Sequence, residues 1–268
     1  MRFLFFSYLN WFAGSERMLP ILMNNIAKYE TNKVVFVCSS EPQYLNGIYE
    51  LLDDKIEIIP MRLYHRDFYW KKTRFRLMNL PLNFHAYVKH IILKYYLVIL
   101  NRNKLYNTFT ETDFDIVHVN NGGYPGSLAA IGFVLFSYSL KFKKLLFVVN
   151  NLAVTRKHPL RVLDWPLDYL VKKRVTTFIT ASKFAGDRLK QVLGTSKVYT
   201  IPNAVVVQSK ILKQDRLNDL FVVGMIGLLE KRKGHSFAIK SFKQAIAEIP
   251  NAVLLLSLIH ISEPTRRS

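Results

Sequence analysis

The feature that most constrains the fold is an alternation along the chain of short apolar runs with longer stretches of helical periodicity. Runs that are apolar throughout are typical of strands buried on both faces of a parallel sheet, and the helical stretches supply the crossovers that parallel strands need. We therefore predict an α/β fold with a doubly wound parallel sheet. The predicted strands are residues 2–8, 33–39, 56–61, 115–119, 145–150, 177–181 and 198–201. The predicted helices are residues 15–29, 44–52, 76–105, 125–140, 160–173 and 183–193.

The same pattern divides the chain into one complete domain and the start of another. Residues 1–205 hold these strands and helices and form a complete N-terminal domain, and the polar stretch 206–219 is a linker. Residues 220–255 then begin a new unit of one strand, one helix and the start of a further strand. Such a unit is too small to bury a core alone, so we expect the second domain to be incomplete.

Residues 256–268 form a C-terminal tail of a different character. The eleven residues that begin at Leu256 and end at Arg266 resemble the translation of a sequencing-library adapter, and we interpret the tail as non-native. On this interpretation the authentic sequence ends near Leu255 and the chain is a fragment. The alternative is a genuine strand followed by a polar tail.

The composition excludes several classes of protein. Half of the residues are hydrophobic and 13% are aromatic, which excludes a disordered chain despite a formal net charge of +19. The excess positive charge is therefore surface charge and indicates an anionic partner, which is a nucleic acid, a membrane face or a phosphorylated substrate. A single cysteine, Cys38, excludes a disulfide scaffold and favours a reducing compartment. Because no uncharged apolar run reaches about 18 residues, we predict no spanning helix.

Residues that follow the predicted strands are the first candidates for a site, because ligands of an open parallel sheet bind beyond the carboxyl ends of its strands. Gly14 and Ser15 follow the first strand at the start of a helix, where free N–H groups suit a phosphate. The alternative is an ordinary turn with a capping serine. Asn120 and Asn121 follow the fourth strand, and the alternative there is a plain loop with asparagines at turn positions.

Two further candidate sites lie beyond the fifth strand and in the second unit. Asn150 and Asn151 end the fifth strand, and His158 follows on a basic loop as a proton shuttle, a phosphate ligand or simply a surface residue.

The loop between Gly227 and Gly234 carries three consecutive cations, Lys231, Arg232 and Lys233, just before a helix. Cations are electrostatically unfavourable at a helix N-terminus, where the helix dipole is positive. A bound anion would offset this unfavourable energy. This arrangement predicts a diphosphate site, and the alternative is a solvated basic turn.

These segments, in this order, resemble family 4 glycosyltransferases, which are retaining enzymes of the GT-B fold with two facing Rossmann-like domains. The loop A-G-S-E-R at residues 13–17 is similar to the family's G-G-x-E-R, and I-P-N-A-V at residues 201–205 is similar to I-P-N-G-V. The loop at residues 227–234 is similar to G-R-L-x-x-x-K-G. Residues 115–120, 179–183 and 237–242 resemble further family segments in register.

The resemblance implies transfer of a sugar from a nucleotide-diphosphate donor to a glycan or lipid-linked acceptor in bacterial surface polysaccharide or lipopolysaccharide synthesis. The nucleotide sugar is a co-substrate, and neither a metal nor another cofactor is expected. The implied roles cover both domains. Catalytic charge neutralisation is assigned to Lys233 and Arg232, donor or phosphate binding to Gly14, Ser15, Asn203, Gly227 and Gly234, and the acceptor side to Asn120, Asn121, Asn150, Asn151 and His158.

The chain also departs from the family pattern. Leu228 stands where the family has an arginine, which leaves Arg232 as its substitute, and Ala204 replaces a glycine. Asn150 and Asn151 stand where many members have a histidine, which puts a conventional acceptor-side base in doubt.

The family's two-glutamate motif would lie beyond Leu255, so we expect the chain as given to be inactive. Two alternatives to this function stay open: a nucleotide-sugar epimerase of the same fold, and a basic α/β module that binds nucleic acid.

Residues 62–106, the basic segment, carry ten Lys or Arg and a single Asp with aromatic residues interleaved. This pattern predicts a cationic amphipathic surface that lies on an anionic membrane, and we favour this over a nucleic-acid surface. A soluble helical pair with a solvated basic face is the remaining alternative. With the resemblance, this predicts a hexosyltransferase located peripherally on the cytoplasmic face of the membrane.

Overall fold

The computed structural model describes residues 1–9, 14–64, 82–109, 113–155, 159–204, 220–227, 229 and 233–257. The chain divides into two units, Met1–Val206 and Val207–Ser268. His158 and Arg232, most of the basic segment before α3 and the tail from residue 258 onward lie outside the described residues.

Seven parallel strands form the sheet of the first unit. They are β1 (Arg2–Ser7), β2 (Lys33–Ser39), β3 (Glu57–Met61), β4 (Asp113–Asn121), β5 (Lys141–Val149), β6 (Thr177–Thr180) and β7 (Val198–Thr200). Their spatial order is β3-β2-β1-β4-β5-β6-β7, and each neighbouring pair is parallel. This order reverses direction between β1 and β4, which is the switch point of a doubly wound sheet. The predicted α/β fold with a doubly wound parallel sheet is confirmed.

Helices cover both faces of this sheet. They are α1 (Gly14–Ala27), α2 (Pro42–Tyr49), α3 (Leu82–Thr108), α4 (Leu128–Phe136), α5 (Pro159–Val162), α6 (Trp165–Arg174) and α7 (Lys183–Leu193). Alternate side chains of β1 enter two cores: Leu4 and Phe6 pack on the face that holds α3, α4, α6 and α7, and Phe3 and Phe5 pack on the face that holds α1 and α2. Full burial of a side chain of this size contributes about 1.5–3 kcal/mol, so both faces stabilise the sheet.

Most bounds differ from the predicted ones by one to three residues, and three differences have a clear physical cause. The predicted helix at residues 125–140 starts only at Leu128, because Gly126 has a φ of 66° and the Ser127 hydroxyl caps the helix by accepting from the Ala129 N–H at 3.2 Å. The predicted helix at residues 160–173 is two helices, and α6 starts with a proline in its first turn. Strand β5 starts four residues early, at Lys141, because its basic first half is mostly exposed and lacks an apolar pattern.

Helices α3 and α4 pack against each other at a glycine. A Cβ atom added to Gly132 of α4 would lie 2.9 Å from the Cβ of Asn101 and 3.0 Å from the carbonyl oxygen of Val98, both on α3. Real Cβ atoms do not approach other atoms this closely, so the two backbones lie at a distance that only glycine allows.

The second unit, as far as it is described, contains β8 (Phe221–Ile226), α8 (His235–Ala245) and β9 (Ala252–Ser257). The two strands are parallel, with Phe221 opposite Ala252. Most apolar side chains of β8 and α8 are exposed, Phe221 and Phe237 among them. The two strands and the helix that the structure describes in this unit therefore leave much of their apolar surface uncovered.

Across the described part of the chain, no helix combines the length and the apolar character needed to cross a bilayer. The longest, α3, has 27 residues, but charged and polar side chains interrupt it throughout.

Candidate functional site

The candidate site lies at the carboxyl ends of β1 and β4, where the strand order reverses. Ser7 ends β1 and lies opposite Asn120 of β4 in the register of the sheet. On the other side of β4, Asn120 lies opposite Val148 of β5, so Asn150 follows directly beyond that strand. Three polar residues therefore meet at one edge, as the strand-end rule predicts.

Four buried or half-buried side chains form the switch-point cluster: Ser7, Glu16, Asn120 and Asn150. The Ser7 hydroxyl donates to Glu16 Oε1 at 2.8 Å. The amide nitrogen of Asn120 donates to the same oxygen at 3.2 Å and to Ser7 Oγ at 3.1 Å. These bonds compensate the burial of a carboxylate, which is costly without hydrogen-bond partners.

Glu16 is fully buried although it is an acidic residue in the first turn of α1. The positive end of the helix dipole favours a carboxylate at that position. The sequence pattern indicated Glu16 only as part of a family loop, and its burial beneath Asn120 was not predicted.

Asn150 extends the cluster toward the surface. Its amide nitrogen donates to Asn120 Oδ1 at 2.8 Å and to the backbone oxygen of Asn121 at 3.1 Å. The amide group of Asn120 therefore donates toward Glu16 and accepts from Asn150, which fixes the orientation of both side chains. No donor among the described residues bonds to Asn150 Oδ1, so this oxygen is an oriented acceptor at the edge of the sheet.

Asn121 has a different role from Asn120. Its amide nitrogen donates to the carbonyl oxygens of Gly123 at 2.7 Å and Pro125 at 3.0 Å, and its Oδ1 accepts from the Ser127 N–H at 3.1 Å. Both ends of the side chain are thus used to hold the loop before α4. Gly126 is required in that loop, since an added Cβ would lie 2.4 Å from Asn121 Oδ1.

A cavity of about 470 Å³ opens beside this loop. Its apolar lining includes Tyr8, Tyr64, Leu93, Leu97 and Leu128, and its polar lining includes Lys94, Asn121, Ser127 and Asn151. Such a volume, with apolar walls and a few polar groups, is typical of a small-molecule site. The cavity therefore adjoins the loop that continues from β4.

One wall of the cavity is held by Tyr8, at the end of β1. Its hydroxyl donates to the carbonyl oxygen of Leu63 at 2.9 Å and accepts from the Leu63 N–H at 2.8 Å. Burial is the main cause that raises the pKa of Tyr8 above its usual value, so the hydroxyl stays protonated at neutral pH.

His118 lies on β4 two residues before Asn120 and is buried against the ring of Phe5, with ring centroids 4.9 Å apart. Burial lowers its pKa to about 4, because the charged imidazolium loses its hydration there. His118 is therefore neutral at physiological pH.

A second buried polar group, the ion-pair cluster, joins side chains of α3, α5 and α6. Arg161 of α5 bonds to Asp164 and to Asp168 of α6, at 2.9 Å in each case. Lys94 of α3 pairs with Asp164, and the hydroxyl of Tyr124 donates to Asp168 at 2.9 Å. Two cations and two carboxylates thus join three helices to the loop beside the cavity.

The contacts of the ion-pair cluster were not predicted from the sequence. Lys94 and Tyr124 lie 70 and 44 residues from their acidic partners, so no local spacing indicates the contacts. The only local signal is the spacing of Arg161, Asp164 and Asp168, which places three charges on one side of a helical turn.

The remaining predicted residues are distributed over both units. In the first unit, Gly14 begins α1 with open space beside its Cα, Ser15 follows it in the helix, and Asn203 is exposed beyond β7. Asn151 is exposed and lines the cavity.

In the second unit the structure brings Gly227, Lys233 and Gly234 together. Gly234 has a φ of 78° at the start of α8, and the Lys233 side chain lies 3.9 Å from a Cβ added to Gly227. The Lys233 side chain is exposed. Left-handed backbone at Gly234 explains why a glycine precedes the helix.

Among the described residues, no group of three or more His, Cys, Asp and Glu side chains is arranged to hold a metal ion.

A sequence model of Glycosyltransferase Family 4 matches residues 68–209, more than half of the chain. No curated protein matches the chain significantly.

Solved structures show the same fold at low identity. HepE from Anabaena in complex with UDP and glucose matches with a TM-score of 0.56 and 14% identity, over 97% of this chain and 62% of that one. A glycosyltransferase from Rickettsia africae matches with a TM-score of 0.53 and 13% identity, over 96% of this chain and 68% of that one. The chain therefore spans roughly two thirds of the length of these two structural relatives.

Proposed function

The chain belongs to Glycosyltransferase Family 4, and from this premise we propose that it transfers a hexose from a nucleotide-diphosphate donor to a hydroxyl group of a glycan or lipid-linked acceptor. We assign the reaction to the retaining class and to surface polysaccharide or lipopolysaccharide synthesis. In the reaction the bond between the sugar C1 and the diphosphate oxygen breaks, and a bond between C1 and the acceptor oxygen forms. The solved complex of HepE with UDP and glucose supports a UDP-sugar as the class of donor.

The observation that carries the acceptor side of this proposal is the switch-point cluster. Glu16 fixes Asn120, Asn120 fixes Asn150, and Asn150 Oδ1 is left as an oriented hydrogen-bond acceptor. An acceptor hydroxyl that donates to this oxygen is held in one orientation, which lowers the entropy cost of reaction.

Asn150 orients the acceptor hydroxyl but does not deprotonate it, since an amide oxygen is a very weak base. The proton of that hydroxyl must therefore pass to another group as the new bond forms. We propose that it passes to the diphosphate oxygen that leaves the sugar, which gains negative charge at the same moment. His118 does not take it, because its buried ring has a pKa of about 4 and lies within the core.

The cavity beside Asn121 is the proposed subsite for the acceptor. Its wall of Tyr8, Leu93 and Leu97 suits an apolar group, and its polar side, with Asn151 and Ser127, suits hydroxyl groups. An acceptor with both characters, such as a lipid-linked sugar, fits this division. His158 belongs to the same proposed acceptor side.

The second unit supplies the proposed donor side. Lys233 would neutralise charge on the leaving diphosphate, and the N–H groups at the start of α8 would bind its oxygens, since a helix N-terminus favours anions. Gly227 and Gly234 leave the backbone accessible there. Arg232, Asn203, Gly14 and Ser15 complete the proposed set of phosphate-binding residues.

Transfer of labelled sugar tests this function. Permeabilised cells that express the protein from its own gene are supplied with nucleotide-diphosphate sugars labelled in the sugar, and the lipid and polymer fractions are extracted. We expect label in one of these fractions, and a loss on the order of a hundredfold when Lys233 is replaced by alanine. Lys240→Ala is the matched control, because Lys240 is an exposed lysine of α8 further along the helix.

Two outcomes would contradict the proposal. One is incorporation of label that does not depend on that gene. The other is conversion of the labelled donor to an isomeric nucleotide sugar without transfer, which is the reaction of an epimerase.

A further inference from the structure

The outward face of α3 carries several apolar and aromatic side chains, with the polar Asn103 among them. Ile92, Tyr96, Ile99 and Tyr106 are spaced by four, three and seven residues, so they lie in one stripe along the helix. Each is between 50% and 64% exposed. A solvent-facing helix surface ordinarily carries polar side chains, so this stripe requires an explanation.

The opposite face of α3 packs into the core, so the exposed stripe is not the core-facing side of the helix. Leu97, Val98 and Leu105 are fully buried, as is Asn101, whose side chain bonds to both backbone groups of Tyr64. The helix therefore already has its buried face, and its orientation is fixed. The exposed stripe is a second apolar face.

A second exposed set continues from α3 onto α5 and α6. Leu163 and Trp165 are exposed, and the rings of Trp165 and Tyr169 stack with centroids 6.3 Å apart. The Tyr95 hydroxyl of α3 donates to the Leu163 carbonyl oxygen at 2.6 Å, and Lys94 pairs with Asp164. These bonds hold the two exposed sets beside each other. Together they form the aromatic patch: Ile92, Tyr96, Ile99, Tyr106, Leu163, Trp165 and Tyr169.

Among the side chains that the structure describes on α3, α5 and α6, the exposed charges are all positive. Helix α3 has no acidic residue in its sequence, and the one acid of α6, Asp168, is buried in the ion-pair cluster. Arg102 is exposed, with its guanidinium 5.9 Å from the Tyr106 ring centre. Lys172 and Lys173 lie one helical turn beyond Tyr169. The patch is therefore fringed by cations.

We propose that the aromatic patch docks on the surface of an anionic lipid bilayer. Tyrosine and tryptophan are favoured at the boundary between headgroups and acyl chains, isoleucine and leucine enter the acyl region, and lysine and arginine bind anionic headgroups. A nucleic acid would engage the cations but gain little from Ile92, Ile99 and Leu163. A bilayer engages both kinds of residue at once.

Sedimentation with vesicles tests the docking. The chain is mixed with vesicles of phosphatidylcholine alone or of phosphatidylcholine with phosphatidylglycerol. We expect binding to the anionic vesicles that weakens as salt is raised. The triple variant Ile92→Ser, Tyr96→Ser, Ile99→Ser removes half-exposed apolar surface and is expected to lower the partition coefficient by on the order of tenfold or more.

Two exposed aromatic residues on other elements provide matched controls. Phe184 of α7 is 71% exposed and Tyr199 of β7 is 63% exposed. We expect the double variant Phe184→Ser, Tyr199→Ser to bind anionic vesicles as the unchanged chain does. An equal loss in both variants would overturn the proposal.

A second measurement does not depend on how the triple variant folds. In the unchanged fold, with Trp11→Phe and Trp70→Phe, the emission of Trp165 is expected to shift to the blue on anionic vesicles and to be quenched by brominated acyl chains. Emission unchanged by vesicles overturns the docking. So does equal binding to neutral vesicles, a dimer whose formation requires the patch, or patch-dependent binding of RNA in place of lipid.

Discussion

The first unit contains two buried polar clusters of different electrical character. In the switch-point cluster a single carboxylate, Glu16, accepts hydrogen bonds from the neutral groups of Ser7 and Asn120. In the ion-pair cluster, the carboxylates of Asp164 and Asp168 bond directly to Arg161, and Lys94 adds the second cation. The first cluster presents a free acceptor atom at the sheet edge, whereas the second uses its charges to join helices.

Because of this difference, a substitution in one cluster should change the free energy of unfolding more than a substitution in the other. Removing one ion from a buried, balanced set leaves an opposite charge without its partner, and the cost is large. Removing one neutral hydrogen-bonding group leaves a smaller desolvation cost. The ion-pair cluster should therefore dominate stability, and the switch-point cluster should dominate the chemistry proposed at the edge.

The largest expected effect is on Arg161. Arg161→Met removes the cation that bonds to both Asp164 and Asp168, and among the described residues it leaves Lys94 alone beside them, so we expect the free energy of unfolding to fall by about 3–5 kcal/mol in urea titrations. The control is Lys190→Met, which removes an exposed pair with Asp187 at 3.3 Å and should change stability by less than about 1 kcal/mol.

A second substitution that restores the balance of charge tests whether the unpaired carboxylate causes this loss. Adding Asp168→Asn to Arg161→Met leaves Lys94 paired with Asp164, so it removes the uncompensated charge and should restore part of the lost stability. A double variant less stable than the single variant would show that the charges are not balanced against each other.

An intermediate effect concerns His118, a buried ionisable group beside the switch-point cluster. Burial lowers its pKa from 6.5 to about 4 in the folded chain. Between these values the unfolded chain binds a proton that the folded chain does not, so stability falls as the pH falls through this range, by about 3 kcal/mol in all. We expect His118→Leu to remove this loss when unfolding is measured at pH 7 and near pH 4.5.

The same slope with pH in both chains would place the acid sensitivity elsewhere. Stability of the unchanged chain at pH 7 is not expected to depend on the imidazole charge, because His118 is neutral there in both folded and unfolded states.

At Asn150 we expect the smallest effect on stability. The effect on the proposed activity should be larger. Asn150→Ala removes a donor to Asn120 Oδ1 and should cost about 1 kcal/mol in unfolding experiments. In the transfer assay, loss of the oriented acceptor oxygen should lower transfer on the order of tenfold. Asn151→Ala is the matched control for stability, since Asn151 is exposed beside it. A loss of stability equal to that of Arg161→Met would remove the contrast between the clusters.

Much of the fold follows from local patterns in the sequence. The bounds of β2 and α7 are those predicted, because a continuous apolar run defines β2 and because Ser182 and Gly194 cap α7 at its two ends. Boundaries were wrong where local pattern and tertiary structure disagree. The first half of β5 forms a strand because β4 pairs with it from Asp113 onward, not because its lysines favour one.

The candidate site was predictable in part. The strand-end rule brings Asn120 and Asn150 to one edge, and the structure shows them bonded. The rule does not distinguish Asn120 from Asn121, whose side chains serve the cluster and the loop respectively. The burial of Glu16 and the ion-pair cluster depend on contacts between distant segments, and a single sequence carries no pattern for these.

The close crossing at Gly132 has a consequence for the shape of the cavity. Helices α3 and α4 both contribute to its lining, through Leu93 and Leu97 on one and Leu128 and Ala129 on the other. Their separation is set at a residue that does not itself line the cavity. Gly132 therefore acts as a spacer: a larger residue at this crossing would push apart two helices that both line the cavity, at a distance from any ligand.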